Sequence, residues 1–240
     1  MSATDRLFGI PGRVAAVIGA TPIGLATAKL LEEAGATAVL VRTRFEGSEG
    51  DLDPVDETAV AAALQQIVAG NGGLDIVVYA VTVPGVYSFQ EMTLAQWDHQ
   101  QDANVRGAFI CLREALPHLK ARGGGRIVAI STIGAVHPVL HGNTAYGASR
   151  AGLNAMVRAV ALDHAKDGVL ANVVLCGAFP VGPMPADSGV PSGPGRDAGR
   201  LMLGMAEPEI AAAAVLYLVS PAGRFTTGQA LPLDGGFLVS

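Results

Sequence analysis

Cysteine is scarce in this 240-residue sequence: Cys111 and Cys176 are the only two, far apart and inside apolar segments. That argues against a disulfide framework and fits a reducing compartment. Aromatic residues make up only 5%, so Ala, Val, Leu and Ile have to fill the core. Charged residues reach 15%, the formal net charge is −5, and there is no run of Lys or Arg, so no nucleic-acid partner is expected. No stretch approaches the ~18 apolar residues that span a bilayer. The opening MSATDRLFGIPGR has no apolar run before Val14, so the expectation is a soluble, cytoplasmic protein without membrane contact. His137 and His141 are four apart, but Pro138 lies between them and no Cys or acidic residue is near, so no metal site is expected.

Hydrophobic residues account for 50% of the chain and glycine for 31 positions, which suits a large core joined by tight turns. Short apolar runs at Arg13–Ile18, Thr37–Val41, Leu74–Tyr79, Arg126–Ile130, Val169–Leu175 and Leu231–Leu233 read as strands. Between them, Ile23–Ala34, Pro54–Ala69, Leu94–Ala121 (one long helix or two), Ala145–Lys166 and Glu207–Val219 read as helices. Strands that alternate with helices and are apolar throughout indicate a parallel sheet buried on both faces. The expected fold is a single α/β domain over 1–240: a Rossmann-type, doubly wound parallel sheet in a three-layer αβα arrangement. One composition shift, over 177–204, is rich in Pro, Gly and Ser and follows the fifth strand. It is expected to form a substrate loop at the carboxyl edge of the sheet.

Four segments in order, VAAVIGATPIGLATAKLLEEAGATAVLV, DANVRGAFIC, GRIVAIST with AYGASRAGLNAMVRAVALDHA, and TTGQALPLDGGF, resemble the short-chain dehydrogenase/reductase family across nearly the whole chain. The resemblance implies a nicotinamide cofactor in the first βαβ unit. The family usually shows TGxxxGxG there, which lets backbone N–H groups approach a pyrophosphate. Here the run is Ile18-Gly19-Ala20-Thr21-Pro22-Ile23-Gly24, one residue shorter and without the middle glycine. Gly19, Thr21, Ile23 and Gly24 are the expected turn contacts. Arg42 follows the second strand where an acidic residue would hold ribose hydroxyls. With Arg44 close behind, it points to a 2′-phosphate, hence to NADP with NAD as the second candidate. Between Arg44 and Asp51 there is no room for a full helix. Asp51-Leu52 resembles the pair along the adenine ring, and Tyr79-Ala80-Val81-Thr82 replaces the family's NNAG, leaving Ala80 against the cofactor.

The resemblance also implies the catalytic group. Tyr146 and Arg150 are four apart and share a helix face, with Arg where the family has Lys. A fixed cation beside a phenol that ordinarily titrates near ~10 makes it useful as an acid or base at neutral pH. Ser131 and Thr132 close the fourth strand, where the family keeps a hydroxyl for the substrate oxygen; position favours Thr132, with Ser131 close behind. Asn104 matches the Asn of the family's tetrad. Val139, Leu140, Phe179, Met184 and Met202 are candidates for an apolar substrate pocket, while Cys176 reads as buried and inert. The expected activity is hydride transfer between NADP(H) and a small-molecule carbonyl or secondary alcohol. Two other readings stand beside it. Halohydrin dehalogenases carry Arg in the Lys position and a remodelled glycine turn, and their Tyr closes an epoxide. The chain could also be a non-catalytic family member. The family's usual assembly implies a homotetramer or homodimer through the long helices.

Overall fold

A computed structural model describes residues 2–46, 51–180 and 184–240. Six strands, β1 (Val14–Ile18), β2 (Thr37–Val41), β3 (Ile76–Tyr79), β4 (Gly125–Thr132), β5 (Val169–Cys176) and β6 (Ala230–Leu233), form one sheet in the order β2-β1-β3-β4-β5-β6. Every neighbouring pair is parallel. The helices are α1 (Ala3–Phe8), α2 (Pro22–Glu33), α3 (Glu57–Asn71), α4 (Leu94–Gln101), α5 (Gly107–Ala121), α6 (Thr144–His164) and α7 (Pro208–Val219). The expected three-layer Rossmann arrangement is the one observed.

Side chains alternate across the sheet as the pleat requires. Val14, Ala16 and Ile18 of β1 enter one core with Leu64, Leu112 and Leu153 of α3, α5 and α6. Ala15 and Val17 enter the other, with Leu31 and Val215 of α2 and α7. Capping fixes where helices start. Thr21 accepts from Gly24 N at the head of α2, Asp56 from Ala59 N at the head of α3, and Thr93 forms a reciprocal box with Gln96 at α4. The unforeseen element is α1, which buries nothing and so carries no apolar period. Its signal is the capping box of Ser2 with Asp5.

Two features bear on the site. The stretch Leu94–Ala121 is α4 and α5 joined by a π-helical turn, Asp102–Arg106, a bulge of the kind that often re-aims functional side chains. At the β2 edge, Thr43 and Leu52 make one parallel bridge, so the chain returns to the sheet after a 3₁₀ turn, Arg44–Glu46. Residues 47–50, where no full helix is expected, lie outside the described ones. Because β1 pairs with both β2 and β3, the strand order reverses there. A crevice opens at the carboxyl ends of the strands.

Candidate active site

A cavity of about 220 Å³ occupies that crevice, lined by the end of β4 with the residue after it (130–133), by Tyr146 from the first turn of α6, and by Ile23 of α2. Cys176 at the end of β5 and Gly177, Ala178 and Phe179 beyond it close the cavity. Thr132 and Cys176 are paired across the β4–β5 ladder, so the ends of the two longest strands form the floor. Ser131 and Thr132 lie side by side but differ in access. Ser131 Oγ is sealed from solvent and has no hydrogen-bond partner among the described residues. Thr132 keeps 9% exposure, and its Oγ accepts from Gly134 N at 3.1 Å, leaving its proton to donate.

Arg150 is one helical turn on from Tyr146, and the guanidinium carbon lies 5.2 Å from the centre of the Tyr146 ring. It is fully buried. Nη1 donates to Ile130 O at 3.1 Å and Nη2 to Val81 O at 2.9 Å, while Nε has no partner among the described residues. The guanidinium is thus placed under the tyrosine, stitching the ends of β3 and β4, and Arg150 is not part of the cavity wall. Asn104, in the π turn, is spent on the backbone: Oδ1 accepts from Val83 N and Nδ2 donates to Val83 O, both at 3.0 Å. Tyr79 donates to Ala103 O of the same turn at 2.6 Å, and burial pushes its phenol well above the usual range. These bonds pin the segment after β3 to the α4–α5 joint.

The cofactor candidates fall into two groups. Gly19 adopts φ 105°, and a Cβ there would lie 2.5 Å from Val81 N; one at Gly24 would lie 2.0 Å from Gly19 O. Both glycines are demanded by close packing of the β1–α2 turn on the end of β3, where Gly24 meets Ala80. Thr21 Oγ accepts from Gly24 N at 3.2 Å and donates to Ala80 O at 3.1 Å. With Pro22 lacking an N–H, the amide of Ile23 is the first-turn donor left without an internal helical or capping partner, and Ile23 is also the turn residue that lines the cavity. The second group sits at the β2 edge, away from the cavity lining. Arg42 is exposed, Leu52 N donates to Arg42 O, and Asp51 is half-buried beside it. Arg44 pairs with Asp53 at 2.8 Å and lies over Phe45.

Of the apolar pocket candidates, Val139, Leu140, Phe179 and Met184 line the cavity. Met202 does not and is 55% exposed; Leu201 and Met205 line it instead. The segment over 177–204 covers one side of the cavity, residues 181–183 lying outside the described ones. It is latched by Asp187, which accepts from Tyr87 at 3.2 Å and from Gln96 at 2.7 Å. Burial and the Asp187 carboxylate push the Tyr87 phenol up to about 12, so it stays a donor at neutral pH. Burial likewise pushes the Cys176 thiol up to about 12, which keeps it unreactive. Sequence reasoning missed Arg196, Asn143 and Phe237 in the wall. Arg196 and Asn143 stand in irregular segments and Phe237 in a terminal turn, where no period marks an inward side.

Comparison with known proteins matches the family model described as Enoyl-(Acyl carrier protein) reductase over residues 19–238. The chain is 33% identical to cis-4-hydroxycyclohexanecarboxylate dehydrogenase of Sinomonas cyclohexanicum, covering 94% of this chain and 96% of that one. It is 30% identical to acetoacetyl-CoA reductase of an Acinetobacter species over 74% of this chain and 71% of the relative. Among solved structures, a dehydrogenase/reductase from Sinorhizobium meliloti superposes with a TM-score of 0.85 at 28% identity, covering 99% of both chains. A short-chain dehydrogenase from Burkholderia cenocepacia in complex with NADP does so at 0.82 and 29% identity, over 97% of this chain and 99% of the other. The Tyr146 cavity at the strand ends, the sheet order and these likenesses agree: the chain belongs to the short-chain dehydrogenase/reductase family, and it is an oxidoreductase.

Proposed function

We propose that this enzyme transfers a hydride between NADP(H) and a ketone or secondary alcohol, with Tyr146 as the proton-transferring group. The observation that carries the reading is that Tyr146, Thr132 and Ile23 share one cavity at the carboxyl ends of the strands. The turn residues fit a dinucleotide. Gly19 and Gly24 keep the close chain approach, and the Ile23 N–H at the head of α2 favours an anion. Gly19, Thr21, Ile23, Gly24 and Ala80 would hold the diphosphate side, and Arg42, Asp51 and Leu52 the adenosine side, with Arg42 on a 2′-phosphate. When bound, the nicotinamide supplies or accepts the hydride at the substrate carbon.

The chain's own groups handle the oxygen and its proton. Thr132 Oγ, whose acceptor side is taken by Gly134 N, donates to the substrate oxygen and orients it. The Tyr146 hydroxyl delivers a proton to that oxygen in reduction and removes one in oxidation. Arg150 holds the ring from below and fixes the distance between the ends of β3 and β4. Asn104 supports the same framework through Val83. The largely apolar wall lowers the polarity around the reacting centre.

The dehydrogenase and reductase names of the relatives favour this reading over epoxide formation and over a non-catalytic role. The single sheet, which takes strands from both ends of the chain, supports one domain with 177–204 as its substrate loop. Exposed Phe109 on α5 and Leu162 on α6 support assembly through those helices as a homodimer or homotetramer. The free, buried Cys111 and Cys176 support a reducing, cytoplasmic setting. Saturable enhancement of NADPH fluorescence, followed by ketone-dependent loss of NADPH absorbance, tests the proposal; no binding of either nicotinamide cofactor would end it.

A further inference from the structure

Among the described residues that line the Tyr146 cavity, one is charged, Arg196, which stands exposed at its rim. The hydroxyl-bearing groups Thr132 and Tyr146 gather at the strand ends. Val86, Val139, Leu140, Phe179, Met184 and Leu201 supply apolar surface around them.

Arg196 is placed by its backbone rather than left on a loose loop. It closes a 3₁₀ turn, Pro194–Arg196, that begins at Gly193 with φ 118°, a conformation open to glycine. Gly195 N donates to Val139 O at 2.7 Å, and His141 N donates to Ser192 O at 2.9 Å. A Cβ on Gly195 would lie 2.9 Å from Val139 O, so only glycine allows the contact. These two bonds clamp the turn onto the segment that leads directly into α6, and hence to Tyr146.

The guanidinium forms no ion pair among the described residues. The adjacent Asp197 spends Oδ1 on Gly199 N at 2.8 Å. A permanently charged, solvent-exposed group at the rim of an otherwise uncharged cavity is free to meet an anionic group on the ligand. The planar fork of Arg matches a carboxylate through two parallel hydrogen bonds.

We infer that Arg196 is a carboxylate-binding subsite, and that the substrates of this cavity are hydroxy or keto carboxylic acids with an uncharged carbon skeleton between the two functional groups. The alcohol or ketone meets Tyr146 and Thr132 while the carboxylate meets Arg196. The inference rests on the redox reading of the same cavity and adds the anionic end of the substrate to it.

The test uses the full-length enzyme with 4-oxocyclohexanecarboxylate and its methyl ester, which differ in charge but share the ring and the ketone. Wild type is expected to favour the acid over the ester by about tenfold or more in kcat/KM, the scale of a charged hydrogen-bonded contact. In Arg196→Met the ratio falls to about one, chiefly through KM for the acid; Arg196→Lys recovers part of it. Equal use of acid and ester by wild type, or an unchanged preference in Arg196→Met, overturns the subsite. Calorimetric binding of both compounds to wild type and Arg196→Met separates the two levels of the reading. Acid binding that Arg196→Met loses, without turnover of either compound, keeps the subsite and removes the redox assignment. Binding that is equal for acid and ester, or absent for both, removes the subsite.

Discussion

Arg150 lies beneath Tyr146, with 5.2 Å between the guanidinium carbon and the ring centre, and it donates to the main-chain carbonyls of Ile130 and Val81. The cation that the family places at this helical turn is therefore tied here into the sheet. Its charge is held under the ring by two strand ends that cannot move independently of the core. This makes Arg150 a positioning residue whose loss is felt in stability as well as in rate.

Arg150→Met leaves two buried carbonyls without donors, each worth about 1–3 kcal/mol. Urea denaturation should show a loss of about 3 kcal/mol, since neighbouring groups recover part of the sum. Arg150→Lys keeps a donor and loses less. Equal stability of wild type and Arg150→Met would show that these two bonds do not hold the strand ends.

The two neighbouring hydroxyls separate cleanly. Thr132→Val removes the donor that borders the cavity and should lower kcat/KM by about 100-fold, the lower end of what a positioned proton-handling group supplies. Ser131→Ala removes a hydroxyl already sealed from solvent and should stay within a few-fold of wild type. Steady-state kinetics on the two variants, run side by side, would reverse this order if the working hydroxyl were Ser131.

Asp75, at the opposite end of the sheet, is predicted to set the acid limit of stability. It accepts from Val14 N at 2.9 Å, from Arg13 at 2.8 Å and from Arg122 at 3.2 Å. Burial alone would raise its pKa, but the Val14 N–H and the two arginines outweigh it and hold the carboxyl below its usual value. A lowered folded pKa means a contribution fully present above the unfolded value near ~3.9 and lost as pH falls through the folded one. Both arginines are about half exposed, which discounts their share. Asp75→Asn should cost about 2 kcal/mol at neutral pH, with the gap to wild type closing below pH ~4 in thermal unfolding.

Arg42→Ala should reduce the preference for NADPH over NADH by about tenfold, the loss of one charge-assisted contact to a 2′-phosphate. Fluorescence titration with both cofactors reads the ratio directly. An unchanged ratio would place the 2′-phosphate away from Arg42.

The sheet was legible because β1 alternates between two cores, Val14, Ala16 and Ile18 against Ala15 and Val17, and short apolar runs of this kind announce a strand buried on both faces. Helix α1 was not, since it buries nothing and is marked only by the cap of Ser2 on Asp5. The four-residue spacing of Tyr146 and Arg150 placed both on one helix face. That the guanidinium reaches Val81 O and Ile130 O depends on how the ends of β3 and β4 meet, which no local pattern encodes. Thr21 shows the same limit. Its place in the shortened turn was readable, but its bonds to Gly24 N and Ala80 O depend on β3 packing beside it. Arg196 lies in a Pro- and Gly-rich segment with no period, where inward and outward side chains look alike in sequence.

The most direct measurement is single-turnover reduction of a ketone by NADPH in wild type and Tyr146→Phe, with NADPH affinity measured on both proteins. The account predicts near-equal, saturable NADPH binding and a hydride-transfer rate at least about 100-fold lower in the variant. Full-rate reduction by Tyr146→Phe would contradict it.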